Sequence, residues 1–166
     1  MRGVTAFVAV LAGLAVPAAR GAPPTPVPPV TLPAGGVATA TAVPATAGAR
    51  PVKLTLTLRY EMQCGRPGPG PVVVSLPAAE RVPHTLARRD VSLGGKPPVR
   101  ASISGHVVVL TLPPQRGIIC DVIGPGILTI AFAPAAGLGN PSAAGSYAIA
   151  VRVGARAFVA HLAVAS

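Results

Sequence analysis

The chain has 166 residues, 51% of them hydrophobic, with 21 Pro, 19 Gly and a formal net charge of +10 from 14 Lys+Arg against 4 Asp+Glu. That length holds one domain, with or without a tail, and the apolar content excludes a fully disordered chain. Two Tyr, three Phe and no Trp, set among scattered Pro and Gly, argue against a helical bundle and against an aromatic-lined ligand cleft.

The chain opens on Met1-Arg2, then an apolar run from Val4 to Val16, then the small residues Pro17-Ala18-Ala19 and Gly21-Ala22. A basic start, a short apolar stretch and small residues at its end predict a secretory signal over residues 1–21. The run falls short of the roughly 20 apolar residues a membrane span requires. Val16-Pro17-Ala18 and Ala19-Arg20-Gly21 both fit a cleavage site, and no Cys stands nearby to carry a lipid. Cleavage after Gly21 removes Arg2 and Arg20 and lowers the formal charge from +10 to +8. The expected location is secreted or cell envelope, with no membrane span left after the signal is removed.

Residues 22–35 are a proline-rich linker centred on Pro23-Pro24-Thr25-Pro26-Val27-Pro28-Pro29. Proline fixes φ and lacks an N–H donor, so this stretch is expected to be an extended, solvated spacer. Thr25, Thr31, Thr39, Thr41 and Thr46 offer hydroxyls for O-linked sugar, as Pro/Thr-rich stalks do.

Residues 36–166 read as one β domain. Val52, Leu54, Leu56, Leu58 and Tyr60 alternate with Lys53, Thr55, Thr57 and Arg59, which places the apolar set on one strand face. Strands are also predicted at Val72–Leu76, Val107–Leu112, Leu128–Phe132, Tyr147–Val153 and Phe158–Val164, the last two joined as a hairpin across Gly154-Ala155-Arg156. Weaker alternation marks Val37–Val43, Val91–Leu93 and Val99–Ile103. Seven to nine short strands at this spacing predict an all-β fold, an antiparallel Ig-like β-sandwich.

Cys64 and Cys120 are the chain's two cysteines. In an exported protein they are expected to form a disulfide, which would stabilise the fold by about 4 kcal/mol in the chain-entropy model. The alternative is a soft-metal site at Met62-Gln63-Cys64, copper with a histidine.

The stretch Ala136-Gly137-Leu138-Gly139-Asn140-Pro141-Ser142-Ala143-Ala144-Gly145-Ser146-Tyr147 resembles a signature of Ig-like β-sandwich repeats in bacterial surface and secreted proteins, where Asn-Pro, a small-residue turn and Ala-Gly-x-Tyr lead into a late strand. Val91-Ser92-Leu93-Gly94-Gly95, Ile103-Ser104-Gly105-His106-Val107 and Pro44-Ala45-Thr46-Ala47-Gly48 are similar to other phrases of those repeats. The resemblance implies a non-catalytic structural or adhesive module. By itself, Asn140-Pro141 favours a turn, Gly145 permits a bend, and Tyr147 starts an inward-facing alternation.

Little in the chain points to catalysis. Glu61, Glu80, Asp90 and Asp121 form no close pair in sequence, and His84, His106 and His161 lack metal-ligand spacing. There is no Gly-x-Ser-x-Gly elbow, P-loop or dinucleotide fingerprint. The expectation is no enzyme, no catalytic or metal residues and no cofactor, with a small secreted hydrolase or a copper protein as the distant alternative. The remaining lead is charge. Arg81, Arg88, Arg89, Lys96 and Arg100 lie in the least strand-like part of the sequence, a candidate patch for an acidic polymer. Scarce aromatics count against stacking-based binding of nucleic acid or sugar, and nucleic acid is the less expected polyanion. An exported structural or interaction module is therefore expected, its partner an envelope protein or, in the second reading, an extracellular polyanion.

Overall fold

A computed structural model describes residues 36–59, 70–112 and 126–166. The signal segment, the whole linker of residues 22–35, Met62, Cys64 and Cys120 lie outside the described residues, and so do the expectations attached to them.

The described chain is all-β, with nine strands: β1 (Ala38–Val43), β2 (Lys53–Arg59), β3 (Val72–Ser75), β4 (Val91–Leu93), β5 (Arg100–Ser104), β6 (Val107–Thr111), β7 (Ile127–Phe132), β8 (Gly145–Val153) and β9 (Arg156–Val164). Each falls on a stretch whose apolar residues alternate, including the three weaker ones. Helix is confined to single 3-10 turns at Arg88–Asp90 and Pro134–Ala136. Gly154, with φ +59°, makes the tight bend between β8 and β9.

The strands form one sheet in the order β4-β7-β2-β1-β9-β8-β3-β6-β5. This corrects the expectation of purely antiparallel pairing. β1 pairs antiparallel with β2 and, along its other edge, parallel with β9, where Ala40 stands opposite Leu162. Two sets of strands are thereby joined through β1 into a mixed sheet that curls nearly to a barrel, with β5 coming near the Arg88–Asp90 turn that precedes β4.

Alternation sets the core. Leu54, Leu56 and Leu58 of β2 are fully buried, as are Leu128, Ile130 and Phe132 opposite them on β7. Val72, Val74, Val108, Leu110, Ile149, Val151, Phe158 and Leu162 complete the same cluster from the other strands. Burying one such side chain contributes roughly 1.5–3 kcal/mol, and a polar residue at any of these positions would forfeit that gain.

The register defines two ends. At one, β1 and β7 finish at Val43 and Phe132 while β2 and β4 begin at Lys53 and Val91. At the other, Arg59 pairs with Ile127, Val72 pairs with both Leu110 and Val153, and the β8–β9 bend closes the hairpin. The first is here called the latch end and the second the far end.

Candidate functional site

The latch end is where the chain places most of its buried polar chemistry. Asn140 is 1% exposed. Its Nδ2 donates to the carbonyls of Pro44 at 3.0 Å and Thr46 at 2.8 Å. The backbone adds Asn140 N–H to Ala49 O, Gly48 N–H to Pro141 O and Ala47 N–H to Ala165 O, at 2.9, 2.8 and 2.8 Å. These bonds tie the loop after β1 to the β7–β8 connection and to the end of β9. By donating twice to carbonyls of the loop after β1, the buried amide ties down backbone outside the named strands, where only the isolated Thr46–Ala165 bridge continues the ladder. The sequence marked Asn140 as a turn former; the latch role carried no local signal, because its acceptors lie more than 90 residues away.

Gly139 shows why the latch has no room for a side chain. A Cβ there would stand 3.1 Å from the Arg50 Cβ and 3.2 Å from the Ala49 carbonyl oxygen. On its other side Gly139 exchanges backbone hydrogen bonds with Arg81 at 3.0 and 2.9 Å. Tyr147 is half-buried, and its hydroxyl donates to Ala143 O at 2.8 Å, which stiffens the turn into β8. The residues that carry the resemblance to surface repeats therefore hold loops in place.

Glu80 sits in the connection from β3 to β4 and is 4% exposed, with Oε2 lacking a hydrogen-bond partner. Burial pushes its carboxyl up to about 7 from the usual 4.5, because the charged form loses its hydration. His106 Nδ1 is also buried without a partner, whereas His84 is exposed. His161 faces solvent on the outward phase of β9, as its position in the alternation predicts. Among the described residues no three His, Cys, Asp or Glu side chains gather into a metal-binding group, and no helix is long and apolar enough to cross a membrane.

The five basic residues singled out in the sequence do not share one place. Arg88 and Arg89 lie on the 3-10 turn at the latch end, both exposed, and Arg81 is held near them in chain course by its pairing with Gly139. Lys96 closes a tight turn in which Gly94 and Gly95 have φ +57° and +82° and Leu93 and Lys96 exchange backbone hydrogen bonds. Arg100 opens β5 opposite Thr111, at the far end. This region holds β4 and β5, which fall on two of the weaker alternating stretches, and Arg100 opens β5. The register instead brings in Lys53. It lines a shallow cleft of about 240 Å³ together with Arg89, Asp90, Val91, Ser92, Ala131 and Ala133. Arg89 Nε lies 3.9 Å from Asp90 Oδ1, a loose surface pair that leaves the guanidinium largely in water. At the far end Arg59, Arg100, Arg152 and Arg156 stand on strand termini.

The two outer sheet faces differ in chemistry. On β1, β2, β7 and β4 the outward positions are Thr39, Thr41, Val43, Lys53, Thr55, Thr57, Arg59, Ile127, Thr129, Ala131 and Ser92, with Val43 and Ile127 66% and 51% exposed. On β9, β8, β3 and β6 they are Ala157, Val159, Ala163, Ala148, Ala150, Val73, Val107 and Val109, interrupted by Ser75, Thr111, Ser146, Arg152 and His161.

No protein-family model matches the chain, and no curated protein matches it. Among solved structures it is similar to the crystal structure of BslA, a bacterial hydrophobin, with a TM-score of 0.49 and 20% sequence identity over 78% of this chain and 95% of that one.

Proposed function

We propose that this chain is an exported, non-catalytic structural or interaction module of the cell envelope or extracellular space, built on an immunoglobulin-like theme in which the first strand serves both sets of strands. The observation that carries this reading is the use made of the buried Asn140 amide. It is given to holding the β1–β2 loop against the β7–β8 connection. That investment stiffens a scaffold with broad sheet faces. The signal-like segment of residues 1–21 and the proline-rich spacer that follows supply the route and the reach. Cell fractionation with intact-mass analysis tests the reading: a processed chain outside the cytoplasm is expected, and full-length chain confined to the cytosol would overturn it.

A Cys64–Cys120 disulfide belongs to this proposal. Cys64 follows Arg59 by five residues and Cys120 precedes Ile127 by seven, and Arg59 and Ile127 are register partners at the far end. Chain segments of those lengths reach at most about 17 and 24 Å, so closure is sterically open. Two free thiols in native protein would remove it.

A second reading, binding of an extracellular polyanion, is favoured by the convergence of Lys53 on Arg89 at the latch end. The described residues carry ten Lys and Arg against Glu80 and Asp90 alone, and Glu80 is buried. Retention on an anionic matrix that weakens with salt is expected for this reading. Charge reversal at Lys53, Arg88 and Arg89 should then reduce retention more than reversal of three far-end residues, Arg59, Arg100 and Arg152; equal losses would dismiss the latch end as the contact.

A further inference from the structure

We propose that Glu80 and Asn140 form a buried, proton-gated pair: the protonated Glu80 carboxyl donates to Asn140 Oδ1, and its ionisation loosens the latch. The inference is independent of the proposed function.

The backbone sets the two residues across from each other. Arg81 and Gly139 exchange both hydrogen bonds of an isolated antiparallel bridge. The next position along that bridge puts Glu80 opposite Asn140. Residues so placed share one side of the ladder, with Cα atoms about 4.5 Å apart. Burial agrees with this placement: Arg81 is exposed, whereas Glu80 and Asn140 are 4% and 1% exposed.

Each of the two carries an orphan oxygen. Glu80 Oε2 and Asn140 Oδ1 are both buried without a hydrogen-bond partner. The amide cannot be turned round to cure its orphan, because Nδ2 faces the carbonyls of Pro44 and Thr46, which only accept. Asn140 Oδ1 therefore requires a donor. Ionised Glu80 offers none and sets charge beside the amide oxygen; protonated Glu80 carries an O–H. One proton on Oε2 satisfies both atoms and removes a buried charge.

The charged groups around the pair do not take over this role. Arg81 and His84 on the same connection, and Arg50 on the β1–β2 loop, are exposed. On the 3-10 turn before β4, Arg88 and Arg89 are exposed and half-buried Asp90 stands beside Arg89. The β7–β8 connection, residues 133–144, has no titratable side chain. His106 reaches the root of the Glu80 connection through its carbonyl, which accepts from Leu76 N–H at 2.8 Å. Burial alone raises the Glu80 carboxyl to about 7, with no contribution from a neighbouring charge among the described residues. Once Glu80 ionises, the amide that holds Pro44 and Thr46 loses the bond that fixes its other end. The latch is closed in mildly acidic surroundings and looser in alkaline ones.

The test follows the intact protein from about pH 5 to about pH 9, by NMR of the Glu80 carboxyl and Asn140 side-chain amide and by amide exchange at Ala47 and Gly48. The Asn140 signals are expected to shift with the Glu80 midpoint. Exchange in the loop, corrected for its intrinsic pH dependence, should rise at least about tenfold across that midpoint. Glu80→Gln supplies a permanent N–H donor, so both changes should vanish. Glu80→Leu removes the donor, and its loop should exchange at least about tenfold faster than wild type at about pH 5. His106→Asn should leave both changes in place. Asn140 signals that ignore the Glu80 titration, a Glu80 midpoint near the usual 4.5, or a rise in exchange that persists in Glu80→Gln would overturn the inference. So would unaltered exchange in Glu80→Leu, which gives Oδ1 another donor, or loss of the effect in His106→Asn, which makes the histidine the partner.

Discussion

The two outer faces of the sheet are built from the same alternation yet present different chemistry. On β1, β2 and β7 the middle of the solvent phase is threonine: Thr39 stands opposite Thr57, Thr57 opposite Thr129, and Thr41 opposite Thr55, with Val43 and Ile127 exposed at the two ends. Each hydroxyl can bond water while the β-branched carbon favours the strand, so this face is stable alone. On β8, β9, β3 and β6 the solvent phase is mainly alanine and valine, which gain nothing from water, broken by Ser75, Thr111, Ser146, Arg152 and His161. The strand pattern fixes which side chains point outward; what they offer is decided separately on each face. Alternation by itself therefore identifies a fold and says little about partners.

Both faces are carried on one frame, so the largest expected effects come from loosening it. Asn140→Ala removes two hydrogen bonds and leaves the Pro44 and Thr46 carbonyls without that donor. A loss of about 2–4 kcal/mol in urea unfolding is expected. A loss below about 0.5 kcal/mol would mean that water replaces the latch at no cost.

Glu80 lies on the crossover from β3, under the apolar face, to β4, under the hydroxyl face. Its folded carboxyl holds its proton up to about pH 7, whereas in the unfolded chain it releases it near 4.5. Across that window the folded state binds more protons, so stability falls as pH rises and levels off above about 7, by about 3 kcal/mol in total. Glu80→Gln should flatten this part of the profile in denaturation measured from pH 4 to 9. An unchanged slope would assign the pH dependence to another group.

Gly139→Ala tests the tightness of the same crossover region from the backbone side. Contacts of 3.1 and 3.2 Å leave the new methyl to displace Arg50 or Ala49, and a cost of about 1–3 kcal/mol is expected in thermal unfolding. The smallest effect separates the faces themselves. Thr57→Val should change stability by no more than about 0.5 kcal/mol in urea unfolding, because the half-buried position keeps its β-branched carbon; a larger loss would show that the threonine hydroxyls of this face act together.

Much of the fold was legible in the sequence because one face of every strand is buried, and a period of two records that directly. β2 is the clearest case: Leu54, Leu56 and Leu58 alternate with Thr55 and Thr57 and occupy fully buried positions. β1 was faint because alanines at 38, 40 and 42 carry little hydrophobic contrast. Its parallel pairing with β9 was invisible, since Ala40 and Leu162 are joined by register over more than 100 residues and by no local motif. The basic residues show the same limit, because Lys53, distant in sequence, reaches Arg89 through the register of β2 with β7 and of β7 with β4. Closeness along the chain is a poor guide to closeness in a sheet whose neighbours come from distant segments.

The parallel β1–β9 pair also bears on how the module answers to force. The chain enters β1 at Ala38 near the far end, and β9 runs out at Val164 near the latch end. Past the strands the same two segments stay bonded, Ala47 N–H to Ala165 O and Ala165 N–H to Ala45 O. A pull that separates residue 36 from residue 166 therefore draws the two strands past each other along their length. Their hydrogen bonds are loaded together in shear instead of being opened one after another. A domain hung from a proline spacer and gripped near its C-terminal strand would resist stretching through this pair first, and the Asn140 latch beside it would set how far the strands can slide.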